Sequence, residues 1–207
     1  MSPAPVPTLE TEQEFFSTGA RIVAGLDEVG RGAIAGPVMV GVVCVDAGHV
    51  EVPEGLRDSK LMTPKRREAM LPVVEAWARS CAVGSASADD IDRIGIMGAL
   101  SLAASRALAQ LPEMPDVLIC DGTTPFVVVE HGGPHVVTRV KADQQCASVA
   151  AASVVAKVRR DALMSELDAL HPAYGWASNK GYGAAAHTRA IREHGLTDLH
   201  RRSWNIT

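Results

Sequence analysis

The chain has 207 residues, 47% of them hydrophobic, and a formal net charge of −4. That length suits one domain or one domain with an appended lobe, and that apolar share suits a sizeable core. The acidic balance argues at first against a nucleic-acid partner, and no apolar run is long enough to span a bilayer.

In chain order, residues 1–7 are proline-rich and expected to be disordered. MSPAPVPTLETEQ lacks the basic and apolar regions of a signal peptide, so a soluble, cytoplasmic protein with no membrane partner is expected. LETEQEFFSTG reads as a short helix ended by Gly19. RIVAGLD and PVMVGVVCVD read as two strands, and the link between them is too short for a crossover, so they should pair antiparallel. A basic loop follows, then a helix from Pro64 to about Arg79, and the strand CAVGSAS. Asp89-Asp90-Ile91-Asp92 opens a helix to about Leu111, its acids favourably placed at the positive end of the helix dipole. VLICD and HVVTRV are the fourth and fifth strands. SVAAASVVAKVRRDALMSELDAL is a long alanine-rich helix stopped before His171-Pro172, and the rest reads as loops and short helices. This order predicts an α/β protein with a mixed sheet and helices packed on it. The expected organisation is a tail and short helix over 1–19, a main domain over 20–170 and a C-terminal helical lobe over 171–207.

Cys44, Cys81, Cys120 and Cys146 form no CxxC pair; three of them sit in apolar segments and read as small buried hydrophobes, and neither a zinc site nor a disulfide framework is expected. The charge is unevenly spread. RDSKLMTPKRRE (57–68) carries a net +3, as do residues 178–207, which also hold His187, His194 and His200. Together these clusters permit a phosphate-binding surface on an acidic protein. The three histidines lack ligand spacing with the acids and are expected at the surface or on the phosphate side.

Three acidic positions stand at or just past the ends of apolar strands: Asp27-Glu28, Asp121 before Gly122, and Asp143. Open α/β sheets place their chemistry at strand C-termini. Singly, Asp121-Gly122 is also a common turn and Asp143 a plausible N-cap. Asp27-Glu28 is harder to explain that way, because a turn accounts for one acid and not two. If the first and fourth strands are neighbours, four carboxylates gather and need about two divalent cations to offset them. Hard oxygen donors without clustered His or Cys favour Mg²⁺ or Mn²⁺, and two such ions can clamp the attacking and leaving oxygens of a phosphodiester.

GRGAIAG has the spacing GxGxxxG and is followed by a strand, so it fails as a dinucleotide fingerprint. An arginine between glycines, Gly30-Arg31-Gly32, instead offers backbone amides and a guanidinium at close approach, which suits a sugar hydroxyl and a phosphate. Lys60 and Lys157 are candidate phosphate contacts that read equally well as solvated lysines. Tyr182 alone reads equally as an aromatic packed in a Gly-rich loop.

From about Leu9 to Trp204 the sequence resembles ribonuclease HII, the bacterial type 2 ribonuclease H. The resemblance lies in IVAGLDEVGRGAIAGPV, LRDSKLMTPKRRE, the strand ending CDG, KAD, SVAAASVVAKVRRD, NKGYGAAAH and HRRSW. It implies an RNase H-like mixed five-stranded sheet flanked by helices, with a C-terminal helical lobe. It also implies a metal-dependent endoribonuclease that hydrolyses the RNA strand of RNA–DNA hybrids. Duplex DNA containing single ribonucleotides would be incised 5′ of the ribonucleotide, leaving 3′-OH and 5′-phosphate ends. The implied metal ligands are Asp27, Glu28, Asp121 and Asp143, with two Mg²⁺ or Mn²⁺ ions. Gly30, Arg31 and Gly32 are implied to read the 2′-OH, and Tyr182 to pack against the following deoxyribose. KAD stands where bacterial members commonly have KGD, and Trp204 where Phe is usual; the acid and the aromatic are kept. A monomer is expected. The alternative is a catalytically silent module that binds hybrid duplexes, although a binder gains nothing from four acids that repel phosphate. A nucleotide-dependent oxidoreductase is disfavoured by the glycine spacing.

Overall fold

A computed structural model describes residues 6–129 and 131–206. The expected disorder of residues 1–5 lies outside the described residues. Pro7 is buried, however, and Thr8 bridges to Cys146, with Thr8 N–H donating to Gln145 O and Ala147 N–H to Thr8 O, each at 2.8 Å. The chain is therefore tied to the body earlier than its proline content suggests.

Helix α1 (Glu10–Ser17) leads into strand β1 (Ile22–Val29), which pairs antiparallel with β2 (Val38–Asp46) along its whole length. Helix α2 (Pro64–Trp77) has Thr63 as its N-cap and stops two residues short of expectation, where strand β3 (Ser80–Ala86) takes over. Helix α3 (Ala88–Leu108) opens on a reciprocal capping box between Ser87 and Asp90 and kinks at Gly95, φ 71°. Strands β4 (Val117–Asp121) and β5 (His135–Arg139) follow, then the one-turn helix α4 (Ala142–Gln145) and the long α5 (Ala147–Leu170). Short helix α6 (Trp176–Asn179) and α7 (Ala185–His194) complete the chain's helices among the described residues.

The sheet order is β3-β2-β1-β4-β5, with β1, β4 and β5 mutually parallel and the other pairs antiparallel. Side chains alternate between its two faces. Ile22, Ala24 and Leu26 of β1 pack with Ala99, Leu100, Ala103 and Ala104 of α3. Val23 packs on the opposite face with Ala147 and Val149 of α5. The helix α5 lies close to the sheet because glycines face it. A Cβ on Gly25 would run into the backbone of Ser148 and Val149, and one on Gly41 into Ala152. Trp176, Tyr174, Ala190 and Ile191 form a separate small core with Ala35 and Met164, so the last helices dock onto the β1–β2 turn and the far end of α5.

Candidate active site

The parallel pairing of β1 with β4 places Leu26 beside Cys120, and the next residue on each strand is an acid: Asp27 and Asp121. Neighbouring strands stand about 5 Å apart, so these carboxylates meet at one sheet edge. Asp27 and Glu28 lie inside β1 rather than beyond it, since the ladder with β2 runs on to Val29 opposite Met39. Consecutive strand residues face opposite ways. Asp27 therefore points to the α5 side, as does Asp121, and Glu28 leaves from the other face at the mouth of the cleft.

Asp143 comes from the first turn of α4, not from its cap; Lys141 occupies the cap in a left-handed conformation, φ 59°. Ala142 N–H donates to Asp121 Oδ1 at 2.8 Å, which ties α4 to the end of β4. Gly122, φ 105°, turns the chain there, with its N–H donating to Arg139 O. A 3₁₀ turn over Ser59–Leu61 brings up Lys60. That turn is fixed by Asp58, which accepts from Lys60 N–H, by Ser59 N–H donating to Ser153 Oγ of α5, and by Arg67, which donates to Ser59 O and Met62 O.

Asp27 is 3% exposed and Asp143 4%. Burial raises Asp27 well above the ordinary carboxylate range; the Lys60 ammonium opposes this, and Glu28, Asp143 and Asp121 add to it. Burial and then Asp143 raise Asp121 too. The Lys60 ammonium sits 3.1 Å from Asp143 Oδ2. Burial would lower its pKa, but Asp27, Asp58 and Asp143 drive it upward. Lys60 thus stands in part where a cation is needed, and one ammonium does not offset four carboxylates. The donor set is all hard oxygen, which fits Mg²⁺ or Mn²⁺. Among the described residues, no three His, Cys, Asp or Glu side chains converge closely enough to enclose an ion. Asp121 is turned onto Ala142 and Asp143 onto Lys60.

A cleft of about 200 Å³ contains Asp27, Glu28, Lys60, Lys157 and Tyr182, with Gly30-Arg31-Gly32 on its rim. Arg31 reaches Glu28 at 3.5 Å. A Cβ on Gly32 would meet no protein atom within 4 Å, whereas Gly30, φ 84°, is closed off by Arg160 beneath it. Tyr182 is 38% exposed and lies over the Arg160 guanidinium, 5.6 Å from ring centroid to Cζ. Lys157 pairs with Asp161 at 2.7 Å and also lines a neighbouring cavity of about 460 Å³ with Arg67 and Lys180.

One expectation is overturned. His187 is fully buried and His200 is 1% exposed, so neither is a surface or phosphate-side residue. Trp176 Nε1–H donates to His187 Nε2 at 3.0 Å, His187 Nδ1 meets Tyr182 O at 2.8 Å, and the two rings meet Nε2 to Nε2 at 3.2 Å. They are neutral packing residues behind Tyr182, with burial pushing His200 down to about 4. The basic clusters stay largely exposed, Lys60, Lys65, Arg66, Arg189, Arg192 and Arg202 among them. Arg201 and Arg67 are turned inward onto main-chain carbonyls, leaving fewer cations facing solvent than the sequence count implies. Arg160 and Arg201 were not singled out by sequence; each stands beside a second arginine in a polar stretch, KVRRD and HRRSW, and nothing local marks either as the buried one.

A mixed sheet in this order, with carboxylates gathered where parallel β1 and β4 end, defines a hydrolase of the ribonuclease H class. A crystal structure of ribonuclease H2 from Pyrococcus horikoshii superposes with a TM-score of 0.73 at 25% identity, over 89% of this chain and 94% of that one. A Bst ribonuclease HIII in complex with Mn²⁺ gives a TM-score of 0.70 at 21% identity, over 91% and 68%, and so shares the fold. Ribonuclease HII of Streptomyces avermitilis is 47% identical over 200 residues, 96% of this chain and 83% of that protein. Residues 24–207 match the family Ribonuclease HII, and the chain belongs to that family. It is an endoribonuclease acting on RNA–DNA hybrids.

Proposed function

We propose that the chain, besides hydrolysing hybrid RNA, incises duplex DNA 5′ of a single embedded ribonucleotide, leaving 3′-OH and 5′-phosphate ends. The observation that supports this best is one cleft holding both Asp27-Glu28 of the acidic edge and an open glycine-flanked turn. Asp27, Glu28, Asp121 and Asp143 would hold two divalent ions, Mg²⁺ or Mn²⁺. Such ions supply charge stabilisation for the attacking and leaving oxygens of an in-line displacement. Asp121 can offer Oδ2 while Oδ1 still accepts from Ala142 N–H, and cations held at Asp143 would displace the Lys60 ammonium from it. Lys60 is then free to meet a substrate phosphate, a role suited to its flexible point charge. Gly30, Arg31 and Gly32 face the 2′-OH, the group that separates RNA from DNA. Tyr182, stacked on Arg160, offers its free face to the next sugar.

The test is an end-labelled DNA duplex with one ribonucleotide, incubated with Mg²⁺ or Mn²⁺, beside an all-DNA duplex and an Asp121→Asn variant. A single cut 5′ of the ribonucleotide, abolished by EDTA and lowered roughly 100-fold or more by the variant, is expected. Binding without cutting would instead establish the silent hybrid-binding module, and near wild-type cutting by Asp121→Asn would remove Asp121 from the site.

A further inference from the structure

Two arginines are buried beneath the Gly30–Gly32 turn without a carboxylate partner. Arg201 and Arg160 are both fully buried. Arg201 donates through its two terminal nitrogens to Gly30 O at 2.6 Å, Arg31 O at 2.9 Å and Gly36 O at 3.1 Å. Arg160 donates to Pro37 O, Ala35 O and Lys180 O. Among the described residues every hydrogen-bond partner of these two groups is a main-chain carbonyl. Burying an unpaired cation is costly, and the strain shows: burial first, and Arg160 second, push Arg201 down to about 10. What the two groups supply in return is the geometry of the turn above them.

That geometry follows from the peptide bond. Among the described residues all peptide bonds are trans, and a planar trans peptide directs C=O and N–H to opposite sides. Drawing Gly30 O and Arg31 O inward onto Arg201 turns the N–H groups of Arg31 and Gly32 outward. Neither amide donates to a main-chain acceptor among the described residues, and both residues are exposed on the cleft rim. Trp204 covers the other side of the guanidinium, 4.9 Å from Cζ to ring centroid, and Arg201 N–H donates to Ile34 O, so the clamp itself is held.

We propose that Arg201 is a positioning residue for ribonucleotide selection: by holding the carbonyls of Gly30 and Arg31 it aims the Arg31 and Gly32 amides at the sugar. The inference rests on the reading of Gly30–Gly32 as the sugar-contacting turn. A site built to hydrogen-bond a hydroxyl rejects the analogue that lacks it, so loosening the amides removes discrimination while leaving phosphate contacts alone.

The experiment compares affinity for a duplex with one ribonucleotide against its all-DNA counterpart, by fluorescence anisotropy, in the Asp121→Asn background so that binding is read without cleavage. Thermal melts accompany each variant. Arg201→Lys is expected to lower the ribonucleotide preference about tenfold or more with all-DNA affinity changed less than about twofold. A merely weakened fold would lower both affinities together. Arg201→Gln, which removes the unpaired cation and keeps a donor, replaces Arg201→Lys if that variant melts below the assay temperature. Preference retained in a folded variant, equal loss on both duplexes, or failure of both variants to fold would each overturn the proposal. Gly32→Ala separates it from the underlying reading, since that Cβ meets nothing in the protein. If Gly32→Ala leaves the preference intact, the turn is not the reader; if it removes the preference and Arg201→Lys does not, only the positioning role fails.

Discussion

At the scale of single residues, Asp27 shows the tension between stability and chemistry most directly. Its carboxylate is buried and raised well above the ordinary range by burial, with three neighbouring acids contributing. In the metal-free protein, folded and unfolded chains both hold the proton at low pH. As pH rises, the unfolded chain releases it first, so stability falls until the folded group ionises as well. Asp27→Asn removes that loss. The variant is expected to be more stable than the parent in EDTA above the ordinary carboxylate range, and to be roughly 100-fold or more slower in cleavage. Urea denaturation across a pH series, paired with the cleavage assay, checks both; a variant less stable than the parent at neutral pH would contradict the electrostatic account. The acids were legible because two adjacent carboxylates inside an apolar run have few structural explanations. Their facing was not legible, because it depends on how far the β1–β2 ladder continues.

At the scale of elements, the sheet glycines set how closely the helices approach. A Cβ on Gly25 meets the backbone of α5 rather than a movable side chain, and one on Gly84 meets Ala103 and Ala107 of α3. Gly25→Ala is therefore expected to cost about 2–3 kcal/mol by overpacking, measured by urea denaturation. It should also displace Asp27, two residues along the same strand, and lower cleavage more than stability alone explains. The last helices depend on the neutral His187–His200 pair. His200 is pushed from 6.5 to about 4, chiefly by burial and then by His187. A depressed folded-state pKa stabilises the fold above the unfolded value and loses that contribution as pH falls from about 6.5 towards 4. Protection factors in 172–200, which remove the intrinsic pH dependence of amide exchange, should fall over that window, and His200→Gln should flatten the response. Unchanged protection factors across it would separate the histidines from the stability of this segment. None of this was visible in sequence, where three histidines among arginines read as a wet surface.

At the scale of the whole molecule, net charge misled and charge placement did not. The protein is acidic overall, yet what matters is that Asp27, Glu28, Asp121 and Asp143 lie close together at one sheet edge. Anything that binds only the folded state stabilises it by mass action, about 2.7 kcal/mol at a hundredfold excess over Kd. Mg²⁺ or Mn²⁺ is accordingly expected to raise the melting temperature, and Asp121→Asn to abolish the rise; no shift with either ion would refute metal binding at this edge. Among the described residues no helix is long and apolar enough to cross a membrane.

The sequence by itself determined the element order, the antiparallel first pair and the identity of the acids, because apolar periodicity and short links are local properties of a chain. It also carried the resemblance to ribonuclease HII in motifs spread from β1 to the C-terminus. Only the tertiary structure decided that β1 and β4 are neighbours, which is what unites Asp27 with Asp121 across 93 intervening positions. Only it decided that Lys60 reaches Asp143, that two histidines are core, and that Arg160 and Arg201 clamp the glycine turn from beneath. Each of those is a long-range contact between polar groups, and burial and pairing depend on partners that no local pattern names.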